Sequence, residues 1–301
     1  LWTKVPTVAS GTNTTLYLYY DKTQIENIAY VGYTNSASAA AVWDSNFVFV
    51  NHCNTQPQTQ TMAGAPLATT IYDSTAYNND STVSTIDSND WVLTTAGPVY
   101  KFDTAAGDRI EFGNQPSVQI VSSFTAEVLC KNYTFSATTP GRQVFGKGLS
   151  QPTNNRTSWA LEQNTVNKGS FGICNTGVES SAIKVTAAGT MTANTWDYVV
   201  GRYIPSTSIN LWLNAASEAT HTTTIYSTIY NSTDALMAGV SYRVDTAANN
   251  FDGEITEVRL SKIIRSDAWL KATYYTLLDQ MVTVSGVEGS PSYYYDGYVK
   301  E

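Results

Sequence analysis

The densest group of side chains able to do chemistry lies near the end of the chain, in Phe251-Asp252-Gly253-Glu254-Ile255-Thr256-Glu257-Val258-Arg259-Leu260-Ser261. Two carboxyl groups held about 5 to 9.5 Å apart across a glycosidic bond are what sugar hydrolysis requires. The spacing here argues against that use. Side chains alternate across a strand, so Glu254 and Glu257, three residues apart, are expected on opposite faces. Asp252 and Glu254 would share a face, but Asp252 sits in an Asp-Gly turn. The expectation is a structural strand, with no catalytic residues and no enzyme activity.

Other chemistries find less. The chain has two histidines. His52 follows an apolar strand and reads as structural, and His221 lies in a Thr-rich, exposed stretch. Neither stands near a nucleophile in a Gly-x-Ser-x-Gly setting, and no glycine-rich phosphate loop occurs. Cys53, Cys130 and Cys174 form no CxxC pair, which removes a zinc site. Cys130 and Cys174 read as buried thiols, and one disulfide with a thiol left over stays open. The loop Asp73-Ser74-Thr75-Ala76-Tyr77-Asn78-Asn79-Asp80-Ser81 is dense in oxygen. Asp73, Asn78 and Asp80 with backbone carbonyls could supply part of the six to eight oxygens that calcium takes, so structural calcium is the one cofactor to consider. Asx and Ser turns bonding to their own backbone account for the same residues. Sequons at Asn13, Asn79, Asn132, Asn155 and Asn231 are about as many as chance gives in a chain this rich in Asn, Ser and Thr.

The elements that must position these groups are strands. Leu16, Leu18 and Tyr20 alternate with Tyr17 and Tyr19, and Phe124, Ala126, Val128 and Cys130 share a face, as do Trp196, Tyr198 and Val200. Strands are expected over 99–102, 108–112, 117–130, 142–147, 158–163, 170–174, 196–204, 207–213, 222–227, 236–242 and 251–260, spaced for a two-sheet sandwich and not for βαβ units. One convincing helix follows, over 265–275. Ser266 is its N-cap, Asp267 suits the dipole of its first turn, and Trp269, Leu270, Thr273, Tyr274, Leu277 and Leu278 form a wide apolar face.

Composition narrows the partners. Net charge is -8 and no basic run occurs, whereas phosphate backbones need clustered Lys and Arg; nucleic acid is not expected. No apolar run reaches the roughly 18 residues of a membrane span. Charged residues are 14% of the chain against about 25% in an ordinary soluble domain, so Ser, Thr, Asn and Gln make the polar surface, a balance common outside cells. The chain opens on Leu1 with no signal-peptide pattern, and reads as processed or as a segment of something longer.

Val42-Trp43-Asp44, Val48-Phe49-Val50-Asn51-His52, Asp73-Ser74-Thr75, Trp196-Asp197-Tyr198-Val199-Val200-Gly201 and the closing segment from Phe251 to Tyr275 occur in one order. Together they resemble a concanavalin A-like lectin/glucanase domain of the laminin-G-like (pentraxin-like) kind, over about residues 41 to 284. Residues 1 to 22 resemble the terminal hairpin of a small β-domain that precedes such domains in microbial and phage surface proteins. The resemblance implies an all-β jelly-roll sandwich of two antiparallel sheets over 23–284 with one short C-terminal helix, followed by a Tyr-rich tail over 285–301. Glucanases of this fold carry a Glu-x-Asp-x-x-Glu strand, which this chain lacks. Since the fold hosts many activities, the function expected is a carbohydrate-binding or adhesion module of a cell surface or virion surface, its partners being glycans or neighbouring surface proteins. A structural subunit of a virion, fibre or surface layer is the alternative. Sugar binding would draw on aromatic residues near loops and strand ends, namely Tyr77, Trp91, Tyr226, Tyr230 and Tyr242, each of which also suits ordinary packing.

Overall fold

The computed structural model describes residues 5, 12–16, 36–56, 70–94, 96–103, 107–135, 141–148, 156–164, 166–239, 250–278 and 280. The tail over 285–301 and most of the hairpin expected over 1–22 lie outside them. Two antiparallel sheets face each other. The first runs in the order β13 (Ala216–His221), β12 (Ser208–Leu213), β11 (Trp196–Ile204), β6 (Phe124–Asn132), β15 (Gly253–Ser261), β4 (Gly97–Phe102), β3 (Trp91–Thr94). The second runs β10 (Ile183–Thr186), β9 (Gly169–Ile173), β8 (Trp159–Gln163), β7 (Arg142–Lys147), β14 (Leu236–Ala238), β5 (Ile110–Glu111), β2 (Val83–Ser84). This is the jelly-roll sandwich expected.

The closing strand organises the first sheet. One edge of β15 pairs with β6 along its length; the other is shared between β4, which takes Gly253 to Ile255, and β1 (Phe47–Asn51), which takes Val258 to Ser261. Alternation then builds the core. Phe124, Ala126, Val128 and Cys130 of β6, Val199 and Tyr203 of β11, and Trp159, Leu161, Phe171 and Ile173 of the second sheet fill one interior. Phe124 meets Trp159, Phe171 and Tyr203 at ring-centroid distances of 5.1, 5.9 and 5.8 Å, contacts worth about 0.5–1.5 kcal/mol each beyond burial. Gly201 belongs to that packing, because a Cβ there would enter the Phe171 ring.

Helix α2 (Asp267–Leu277) begins where expected. Ser266 Oγ accepts from Trp269 N at 3.2 Å, and Asp267 occupies the first turn. Its buried side lies on the outer face of the first sheet, where Leu270, Tyr274 and Leu277 pack with Leu129, Tyr198, Val200 and Trp212. A four-residue helix, α1 (Ala37–Ala40), which the expectation of a single helix did not include, precedes β1.

Several expectations need correcting. The stretch 117–130 holds a 3-10 turn at Pro116–Val118 before β6 begins at Phe124, because Pro116 fixes its own φ and donates no hydrogen bond. No strand forms over 222–227; β13 precedes it, and Thr224 has a φ of 55°, which breaks the extended run that its β-branched neighbours suggest. β10 and β2 give no clear alternation in so few residues. All three cysteines are buried free thiols.

The most consequential correction concerns β15. Its register against β6 slips between Ile255 and Glu257, a bulge at Thr256 that adds one residue to the strand. Glu254 and Glu257 therefore project from the same, outer face of the sheet, while Ile255, Val258 and Leu260 reach the core. Their expected placement on opposite faces assumed a regular strand.

Candidate functional site

The outer face of the first sheet gathers the ionisable groups into a closed network. His52 Nδ1 and Arg259 Nε each lie 2.7 Å from a Glu257 carboxylate oxygen. Arg259 stands opposite Glu127 on β6 and under the Trp43 ring, 5.1 Å from its centroid, and Tyr198 donates its hydroxyl to Glu127. Burial pushes the Glu127 carboxyl up. For Glu257, burial is outweighed by His52 and Arg259, which hold it below the usual carboxylate range. Further along, Glu254 pairs with Lys131 at 2.6 Å and accepts from the Tyr133 hydroxyl. Glu127, Glu254 and Glu257 are each at most 4% exposed. Two carboxylates share a face here, yet neither meets solvent. Their role is to match buried cations, and His52 is the structural histidine expected.

The loop after β1 is built on Asp73. Its two oxygens accept from Val50 N (3.0 Å), Thr75 N (3.0 Å), Asn79 N (2.9 Å) and Thr75 Oγ1 (2.8 Å). Burial pushes its carboxyl up to about 6 against those four bonds. Asp80 Oδ1 in turn accepts from Asp73 N at 2.8 Å, and Asn78 sits at the exposed tip with a φ of 50°. Calcium requires converging oxygens. What converges on Asp73 is a ring of donors, so Asp73, Asn78 and Asp80 do not fit that ion as they are folded. Among the described residues no group of three or more His, Cys, Asp or Glu side chains is placed to hold a metal.

What the Asp73 loop does position is Tyr77. The Tyr77 hydroxyl donates to Ser45 O at 3.1 Å and accepts from Lys262 Nζ at 2.8 Å. The ammonium lies 5.3 Å from the ring centroid. Lys262 is fixed in turn, since its N–H donates to Asn46 O at 2.9 Å immediately after β15 ends. The ring is 38% exposed although its loop is tightly bonded. Beside it Arg265 grips Asp44 through two nitrogens at 2.8 and 3.1 Å and lies between Phe47 and Trp269, 3.9 and 4.9 Å from their ring centroids. Trp269 is 36% exposed. Two accessible aromatic rings, one neutralised acid–base pair and one ammonium thus share a rim where the 44–46 turn, the Asp73 loop, the end of β15 and the start of α2 meet. Rings of this kind offer an apolar face bordered by hydrogen-bonding groups.

The other aromatic candidates do not join this rim. Trp91 packs against the core from β3 and donates Nε1 to Cys53 O at 2.9 Å. Tyr226 and Tyr230 come together beside the turn after β9, with the Tyr226 hydroxyl bonded to Ser181 O and Tyr230 N to Cys174 O at 2.7 Å. Tyr242 lies outside the described residues. Sequence reasoning passed over Asp44, Lys262 and Arg265, and assigned Trp269 to the helix's buried side. The signal for Trp269 was its place on the margin of the apolar arc; nothing local marks the other three, which meet only across the fold. Of the sequons, Asn79 and Asn132 are buried, Asn79 Nδ2 being bonded to Val48 O at 2.6 Å, so neither is open to modification in the folded chain.

A family model described as the concanavalin A-like lectin/glucanases superfamily matches residues 103–271. No curated protein matches the chain in sequence. Among solved structures, the binding domain of Paraclostridial Mosquitocidal Protein 1 is similar, at 10% identity and a TM-score of 0.56, over 77% of this chain and 52% of that one. The binding domain of botulinum neurotoxin DC in complex with rat synaptotagmin II aligns at 13% identity and 0.54, over 77% and 52%. The same binding domain in complex with SialylT aligns at 11% and 0.53, over 77% and 51%. The chain thus spans about half the length of these structures, and at such identity the likeness is one of fold.

Proposed function

The chain belongs to the concanavalin A-like lectin/glucanases superfamily, and on that premise we propose that it is a non-catalytic carbohydrate-binding or adhesion module. It works at a cell or virion surface, through the rim that carries Tyr77. The observation behind this is Tyr77, whose hydroxyl donates one hydrogen bond and accepts another on a loop anchored by Asp73, while the residue stays 38% exposed. A ring that is ordered before binding loses little freedom when a sugar stacks on it. The burial of Glu127, Glu254 and Glu257 in ion pairs supports the absence of hydrolysis, since an acid–nucleophile pair must reach the substrate. Botulinum neurotoxin DC binding domains, similar in fold over about half their length, are described in complex with rat synaptotagmin II and with SialylT.

A glycan array followed by calorimetry on the strongest hits tests this. The expected result is sugar binding that falls at least about tenfold, or 1.4 kcal/mol, in Tyr77→Ala with no change in melting temperature beyond a few degrees. Silence across the array refutes the reading. Exposed Trp269 and Tyr275 on α2 favour the second reading, a structural subunit that packs on its neighbours. Light scattering showing concentration-dependent assembly abolished by Trp269→Ser would support it.

A further inference from the structure

The rim carries a charge that a site for neutral sugars would not need. Lys262 Nζ makes its hydrogen bond to the Tyr77 hydroxyl, and among the described residues no carboxylate lies within ion-pair distance of it. Its neighbourhood is nonetheless in a chain of net charge -8. The acid nearest in the sequence of contacts, Asp44, is held by both terminal nitrogens of Arg265, so its charge is already matched. The other acid near this end, Asp267, is taken by Arg202 at 2.7 Å. Buried Asp73 faces four donors, three within its own loop and Val50 N of β1. Among the described residues, exposed Lys262 thus stands over the Tyr77 ring with no carboxylate in ion-pair contact.

Resting on the glycan-binding reading, we propose that Tyr77 and Lys262 together select acidic glycans, sugars that carry a carboxylate or a sulfate. An ammonium has three donors. One stays on the Tyr77 hydroxyl, and the others are free for an anionic oxygen on a sugar stacked against the ring. The Tyr77 hydroxyl fixes where the ammonium stands, and Asn46 O fixes the backbone that carries it. Selectivity follows from geometry: the ring supplies contact area to any pyranose, and the charge adds a charge-assisted bond for those bearing an anion.

The test uses the whole chain and three probes: lactose, 3′-sialyllactose for the carboxylate and 3′-sulfolactose for the sulfate. The wild type is expected to bind one or both acidic probes at least about tenfold more tightly than lactose, with the preference shrinking as salt rises from 50 to 500 mM. Lys262→Met keeps the aliphatic stem and removes the charge together with its bond to the Tyr77 hydroxyl; whatever that lost bond does to all three probes alike, the ratio of acidic-probe to lactose affinity should fall to about one. Lys262→Arg should retain most of it. Because Lys262 is exposed, all variants should melt with the wild type, which a thermal scan checks. Equal affinity for the three probes, or a preference that survives in Lys262→Met, overturns the inference while leaving a lectin. Loss of lactose and acidic probes alike in the wild type would sink the glycan reading and the inference with it. If only one acidic probe is preferred, the inference stands and the anion is identified.

Discussion

Asp197 carries the sharpest prediction about stability. It enters β11 opposite Cys130, facing inward, and is buried. Asn214 Nδ2 donates to Oδ1 at 2.7 Å, and Oδ2 has no partner. Burial pushes the carboxyl up to about 6, with the Asn214 bond opposing. In the unfolded chain an aspartate titrates near 3.9. The folded state therefore keeps a proton that the unfolded state has released across roughly pH 4 to 6. The stabilisation from this group is complete below about pH 4 and is lost as pH rises through 6. A gap of about two units at about 1.4 kcal/mol each makes that loss about 3 kcal/mol, an upper figure for a group that keeps one hydrogen bond. Asp197→Asn keeps an acceptor for Asn214 and removes the charge, so it removes the titration. Whatever fixed offset its amide introduces, the variant should gain about 2–3 kcal/mol relative to wild type between pH 4 and pH 7. Urea unfolding followed by tryptophan fluorescence at pH 4, 5, 6 and 7 measures both. Asp73 and Asp108, also pushed up to about 6 by burial, titrate in the same window but cancel in the difference. A difference constant within about 0.5 kcal/mol across that range would refute the reasoning.

Two further outcomes follow from the buried network and the anchored loop. Arg259→Met removes the cation shared by Glu127 and Glu257 and should cost about 3–5 kcal/mol, as expected when a buried pair loses one partner; Arg259→Met with Glu257→Gln should recover part of it, and strict additivity in chemical denaturation would contradict the network. Asp73→Ala deletes the acceptor of four hydrogen bonds. It should lower stability by about 2–4 kcal/mol and weaken Tyr77-dependent sugar binding, whereas unchanged hydrogen exchange at Val50, Thr75 and Asn79 would show that the loop does not hang on this residue.

Much of the frame was legible in the residues. Alternation marked β7, β11 and β12 within a residue or two and the end of β6, though not its start, because each has one face in a single core. Ser266 and Asp267 placed the start of α2, since capping is a local contact. Short strands such as β10, whose four residues pair with β9 alone, left too little periodicity to detect. Tyr77 could be read as an aromatic in a loop, and for the loop's acids two readings stayed open, calcium or turns bonding to their own backbone. Oxygen-rich composition is the same whether the oxygens face a cation or, as with Asp73, face backbone N–H groups.

The sequence by itself thus determined the sandwich, the closing strand and helix, and the lack of a hydrolytic motif, because these rest on short-range pattern and hydrophobic burial. Only the tertiary structure decided which groups meet. A single extra residue at Thr256 turned Glu257 to the side of Glu254 and into a buried network with His52, 205 positions earlier. The rim likewise joins Asp44 to Arg265 across 221 positions and Tyr77 to Lys262 across 185. Contacts of that span arise from strand order and register, and neither leaves a mark on the local run of residues.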